Sequence, residues 1–153
     1  MQKNLIILVI AVVLIFVGFK FWPPCSDCAP KTAQYKDLIR IETPLPESTI
    51  TSPLIIRGEA RGMWFFEATF PVVLVNWDGL IIAEGYATAK DNPDATDEAG
   101  WMTENYVPFE AKLEFTADTT VSNRGALILQ KSNPSALPQN NDAFEFTVWF
   151  EKT

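Results

Sequence analysis

Residues 144–151 read Phe-Glu-Phe-Thr-Val-Trp-Phe-Glu, so Phe144, Phe146, Val148 and Phe150 alternate with Glu145, Thr147, Trp149 and Glu151. A period of two sends successive side chains to opposite faces, which marks a strand with one buried and one wet face. Residues 109–116 repeat the pattern, with Phe109, Ala111, Leu113 and Phe115 set against Glu110, Lys112, Glu114 and Thr116. Upstream, Trp64, Phe66, Ala68, Phe70, Val72 and Leu74 form a longer apolar face opposed by Glu67 and Thr69. Trp64 and Phe66 are the expected inter-sheet core. Pro71 has no N–H to give a ladder, so a bulge or break is expected there. Asn76-Trp77-Asp78-Gly79 carries the Asp-Gly signal of a tight turn and predicts a hairpin into residues 80–89. Residues 38–43, 54–60 and 126–131 fit further strands. Short strands separated by Pro, Gly and Asn breaks, roughly seven in all, predict an all-β antiparallel sandwich. No stretch after Lys36 has helical periodicity.

The chain ahead of these strands is different. Residues 5–19 (LIILVIAVVLIFVGF) are unbroken apolar, and Phe21 and Trp22 continue the run past Lys20. As a helix, residues 5–22 span about 27 Å, close to the thickness of a hydrocarbon core. Lys20 can snorkel, Trp22 suits the interface, and Pro23-Pro24 stops the helix. Residues 1–22 therefore read as a single transmembrane anchor contacting the lipid bilayer. A cleaved signal peptide needs small residues at its cut site, and the Lys20–Pro24 stretch supplies none. Lys3 on one side and Lys20, Lys31 and Lys36 on the other leave the orientation undecided by charge. A short N-terminal tail before a long domain gives the default of an exported C-terminal domain. Residues 23–36 (PPCSDCAPKTAQYK) hold three prolines and read as a stalk, and residues 37–153 as the domain.

Composition narrows the function. The chain of 153 residues has a formal charge of −7, and from Lys20 onward 11 basic residues face 19 acidic ones. Such a surface repels phosphate backbones, which argues against nucleic-acid binding. There is no histidine, which removes the commonest general base and zinc ligand and every His-dependent nucleophile. Paired carboxylates would be the remaining machinery for a hydrolase, and no cleft-forming insertion is visible. The expectation is a protein that is not an enzyme and needs no cofactor.

Ser52-Pro53-Leu54, Gly58-Glu59-Ala60, Trp64, Phe66-Glu67-Ala68, Phe70, Asp78-Gly79, Pro108-Phe109 and Ser132-Asn133-Pro134-Ser135 occur in that order. Together they resemble the immunoglobulin-like domain family of bacterial spore germination, over roughly residues 38–152. The resemblance implies a bacterial, extracytoplasmic, immunoglobulin-like sandwich and no catalytic residues. Ala136 stands where the family often has glycine, and residues 91–100 look longer and more acidic than usual. Among the motif residues, Pro53 suits the first position of a strand, and Gly58 suggests a bulge or a close backbone approach. Glu67 is expected to face solvent.

Few residues qualify as a site. Cys25 and Cys28 are the only cysteines. Their C-x-x-C spacing reads as a local disulfide or free stalk thiols, because a redox motif would open a helix in a βαβ setting and a zinc site needs two more ligands. Asp91, Asp94, Asp97 and Glu98 cluster in residues 90–100 without the alternate spacing and central glycine of a calcium loop, and read as a solvated loop. Trp77, in the turn, and Trp149, on the polar side of its strand, are the candidate ligand-facing rings, with Tyr86, Trp101 and Tyr106 as further rings at the surface. The reading that follows is a membrane-anchored, extracytoplasmic module of the bacterial cell envelope. It would bind another envelope protein or itself, with a glycan or peptidoglycan surface as the alternative partner.

Overall fold

The computed structural model of the protein describes residues 32–90 and 100–152. The anchor, most of the stalk with Cys25 and Cys28, and the acids of residues 91–98 lie outside the described residues. Nine strands are present among the described residues: β1 (Ala33–Tyr35), β2 (Ile39–Thr43), β3 (Thr49–Ile50), β4 (Leu54–Arg61), β5 (Thr69–Asn76), β6 (Ile81–Ala89), β7 (Tyr106–Leu113), β8 (Arg124–Gln130) and β9 (Ala143–Phe150). They pair into one sheet in the order β1-β2-β4-β7-β6-β5-β8-β9-β3. All pairings are antiparallel except β3 with β9. Among the described residues no helix is long and apolar enough to cross a membrane.

The sheet curls on itself. β6 and β7 are joined by only two residue pairs, Thr88 with Glu110 and Ala89 with Phe109. Beyond that corner the halves β1-β2-β4-β7 and β6-β5-β8-β9-β3 face each other across a shared core. The Phe70 and Phe109 rings, one from each half, meet edge to face at 4.9 Å, and Tyr35 stacks on Phe144 at 5.3 Å. Ile39, Ile41, Ile56, Val72, Leu74, Leu127 and Leu129 fill the rest with no exposure. Apolar area taken from water is the main favourable term in folding, and rings deliver the most area per residue.

Two strands exceed the expected seven. β1 and β3 have three and two residues, too few for alternation to register. β1 draws residues 33–35, read above as stalk, into the sheet, where Tyr35 donates a 2.9 Å hydrogen bond to Asp142.

The long strand expected over residues 64–74 is broken, and not at Pro71. Gly62–Trp64 form a single 3-10 turn, and Glu67 and Ala68 adopt φ of +50° and +61°. Phe66 and Thr69 exchange backbone hydrogen bonds across that tight turn. The turn shifts the phase of the apolar face: Trp64 is fully buried, Phe65 follows it inward at 5% exposure, and Phe66 is turned out at 44%. The placing of Phe66 in the core is thereby corrected, while Glu67 is exposed as expected. Pro71 is tolerated inside β5 because the ladder to β8 starts one residue later, at Val72 with Leu129.

The hairpin at Asn76–Leu80 forms as its sequence dictates. Gly79 takes φ +78°, and the Asn76 side-chain oxygen accepts from the backbone N–H groups of Asp78 and Leu80. Gly58 marks a close approach, since a Cβ there would lie 2.1 Å from the Arg40 carbonyl oxygen.

Candidate functional site

The outward faces of the two sheet halves differ in chemistry. On β2, β4 and β7 most of the residues between core positions are charged, and several pair with opposite charges. Arg57 meets Glu110 at 2.8 Å, Lys90 reaches the same carboxylate at 3.3 Å, and Arg40 lies 4.0 Å from Glu59. At the edge of this face the Tyr106 ring is held between two guanidinium groups, Arg40 at 3.8 Å and Arg61 at 4.1 Å from its centroid. Asp37 ties the group together, accepting from the Tyr106 hydroxyl at 2.9 Å and from Arg61. The Tyr106 hydrogen bond, then Arg61, holds the Asp37 carboxyl below its usual range. Burial, then Asp37, pushes the Tyr106 phenol up. Glu110 is likewise lowered by its hydrogen bonds to Arg57 and Lys90. Every cation here has a carboxylate partner, so the face is a closed charge ladder.

The outward face of β5, β6 and β8 carries an apolar strip, with Glu84 on β6 and Arg124 on β8 as its charged residues. Pro71, Val73 and Val75 alternate with the buried Phe70, Val72 and Leu74, and Ala126 and Ile128 stand beside them on β8. All five are half-buried, and the fully outward Tyr86, at 67% exposure, pairs with Pro71. Glu84, opposite Val73, and Glu145, opposite Ile128, flank this apolar strip on both sides.

The rings singled out from sequence fall in different environments. Trp77 sits on the hairpin turn at 48% exposure. Trp149 faces outward as expected but is half-buried. Its indole Nε1 donates to Glu47 at 2.8 Å, and its backbone pairs with β3. That tether occupies the polar edge of the ring and weakens it as a free ligand platform. Trp77 and Trp149 share one end of the sheet, each one residue past the row Asn76, Gly125, Val148. Trp101 packs partly buried against the core, and Tyr106 belongs to the charged cluster. The Arg40–Tyr106–Arg61 sandwich escaped the sequence reading because it depends on the mutual register of β2, β4 and β7.

At the opposite end, Lys36 pairs with Asp142 at 3.0 Å beside the Tyr35 hydroxyl. Burial acts to raise the Asp142 carboxyl, but the hydrogen bonds from Lys36 and Tyr35 outweigh it and lower the value. No charged or polar side chain is buried among the described residues, and no cluster of metal-ligating side chains is present among them. The hollows among the described residues are open grooves, among them one along residues 117–123 with Lys152 and one at Gln130, Lys131 and 141–143.

The motif residues do structural work. Ser132 donates its N–H to the Trp64 carbonyl and its hydroxyl to the Thr69 carbonyl, fastening the turn after β8 to the start of β5. Asn133 reaches Leu137 and Asn141, and Ala136 adopts φ +54°, the left-handed conformation that glycine takes without strain.

A family model described as the immunoglobulin-like domain of bacterial spore germination matches residues 38–135, from the start of β2 into the turn after β8. Comparison with curated proteins and with solved structures found no match.

Proposed function

Since the chain belongs to the immunoglobulin-like domain family of bacterial spore germination, we propose that it is a non-enzymatic interaction module of the bacterial cell envelope. Its N-terminal apolar segment anchors it in the membrane, and its domain lies outside the cytoplasm. The observation that carries the reading is the difference between the two outer faces. Exposed ion pairs cover one, whereas the other presents the strip of Pro71, Val73, Val75, Ala126 and Ile128 between two glutamates. A strip of that kind fits an apolar patch on another envelope protein or on a second copy. The absence of histidine and the exposed, paired state of the shifted carboxylates support a role without chemistry.

Two measurements on cells expressing the full chain test this. Retention in membranes washed with alkaline carbonate, with the domain digested by protease added outside spheroplasts, is the expected topology; release by carbonate overturns it. A photo-crosslinker at position 73 should give discrete protein adducts while one at position 57 gives none. Adducts from neither position would overturn the interaction role.

The exposed Trp77 ring favours a second reading, a glycan-binding surface. Saturable retention of the full chain in detergent on purified cell wall, lost on Trp77→Ala, would establish it.

A further inference from the structure

We propose that the tip of the β5–β6 hairpin is a lipid-contacting loop, with Trp77, Leu80 and Ile81 seated at the headgroup boundary of the bilayer that holds the N-terminal segment. This rests on the anchor reading above and adds a second point of membrane contact.

The tip has the composition of an interfacial contact. Trp77, Leu80 and Ile81 are 48%, 64% and 53% exposed around Gly79, on a turn that the Asn76 side chain holds closed. Val121, 74% exposed, comes from the segment leading into β8, whose first residues pair beside Asn76. Indole with aliphatic side chains at a chain reversal matches what membrane interfaces accept, since the ring is apolar in body and polar at its N–H.

The path of the chain supports the same occupant. Ala33 pairs with Ile41, Ile41 with Gly58, Gly58 with Phe109 and Phe109 with Ala89, which places these residues in one row across the sheet. β6 rises from Ala89 in that row to Ile81 at the hairpin. β1 runs the opposite way, from Ala33 to Tyr35. The chain therefore enters the domain travelling away from the hairpin end.

Residues 23–32, between the apolar segment and β1, span at most about 36 Å when extended, so the tether keeps the domain close to the bilayer. A tethered contact of this kind needs little intrinsic affinity, because the linker keeps the tip at an effective concentration in the millimolar range, roughly.

The test uses the full chain reconstituted in phosphatidylcholine vesicles, plain or with brominated acyl chains that quench indole on contact. Subtracting the emission of Trp77→Phe isolates Trp77 from Trp22 and the others. The Trp77 component should fall about twofold or more in brominated lipid. Leu80→Ser with Ile81→Ser should remove that loss at an unchanged thermal midpoint. A chain that floats with the vesicles while its Trp77 emission ignores bromine overturns the tip contact alone. A chain that does not float overturns the anchor reading and the tip contact with it.

Discussion

Gly58 and Ala136 show backbone geometry choosing a residue from opposite directions. At Gly58 the neighbouring strand leaves no room for a Cβ, whose nearest atom would be a backbone oxygen at 2.1 Å. Backbone cannot swing aside as a side-chain tip can, so Gly58→Ala should cost about 1–3 kcal/mol or more in chemical denaturation. At Ala136 the chain adopts φ +54° with an L-residue in place. Ala136→Gly relieves that conformation at the cost of a looser unfolded chain, and should raise stability by up to about 1 kcal/mol. A loss of stability would show that the Ala136 methyl makes packing the turn needs. Trp64 is a third case, fully buried with its indole N–H lacking a hydrogen-bond partner. Its value lies in ring contacts, edge to face with Tyr35 and Phe70, both at 6.4 Å. Its carbonyl also holds Ser132.

Elements were legible wherever alternation ran for five residues or more. β2, β4, β7, β8 and β9 occupy the stretches their patterns mark, within a few residues, and the Asp-Gly hairpin follows from its turn residues alone. The failures share a cause, which is that period two is read by counting and a hidden turn resets the count. The 3-10 turn at Gly62–Trp64 and the left-handed pair Glu67-Ala68 do this between Trp64 and Phe70, exchanging the roles of Phe65 and Phe66. Thermal or denaturant unfolding checks that exchange. Phe65→Ala should cost about 3–5 kcal/mol as a core truncation. Phe66→Ser should stay within about 0.5 kcal/mol, as for an exposed position. The reverse order would restore the unbroken strand. Of the candidate rings, exposure of Trp77 was legible from its turn. The Glu47 hydrogen bond to Trp149 was not, because a two-residue parallel strand brings it there.

Across the whole molecule, acidity and the lack of histidine set the response to pH. Asp37 and Asp142, with an ordinary value of 3.8, and Glu110, at 4.5, are all lowered in the folded state. Their stabilisation is complete above those ordinary values and is lost as pH falls through the lower folded ones, because the unfolded chain binds protons first. Lys36 is raised from 10.5, by Tyr35 and then Asp142, so its contribution is complete below that value and lost as pH rises further. The unfolding midpoint should therefore be level from about pH 6 to 9 and decline below about pH 4 and above about pH 10.5. Asp37→Asn should flatten the acid limb, and calorimetry across buffers checks both. A marked change between pH 6 and 8 would contradict it. The sheet's outermost strands, β1 and β3, are only three and two residues long. A free strand edge is a template on which another chain can polymerise, and its hazard grows with the run of unpaired N–H and carbonyl groups it offers. Ending both borders in such short pieces, one of them beside Lys36, leaves little to copy at those two ends, and a longer open run falls instead on β6, of whose nine residues only Thr88 and Ala89 pair with β7.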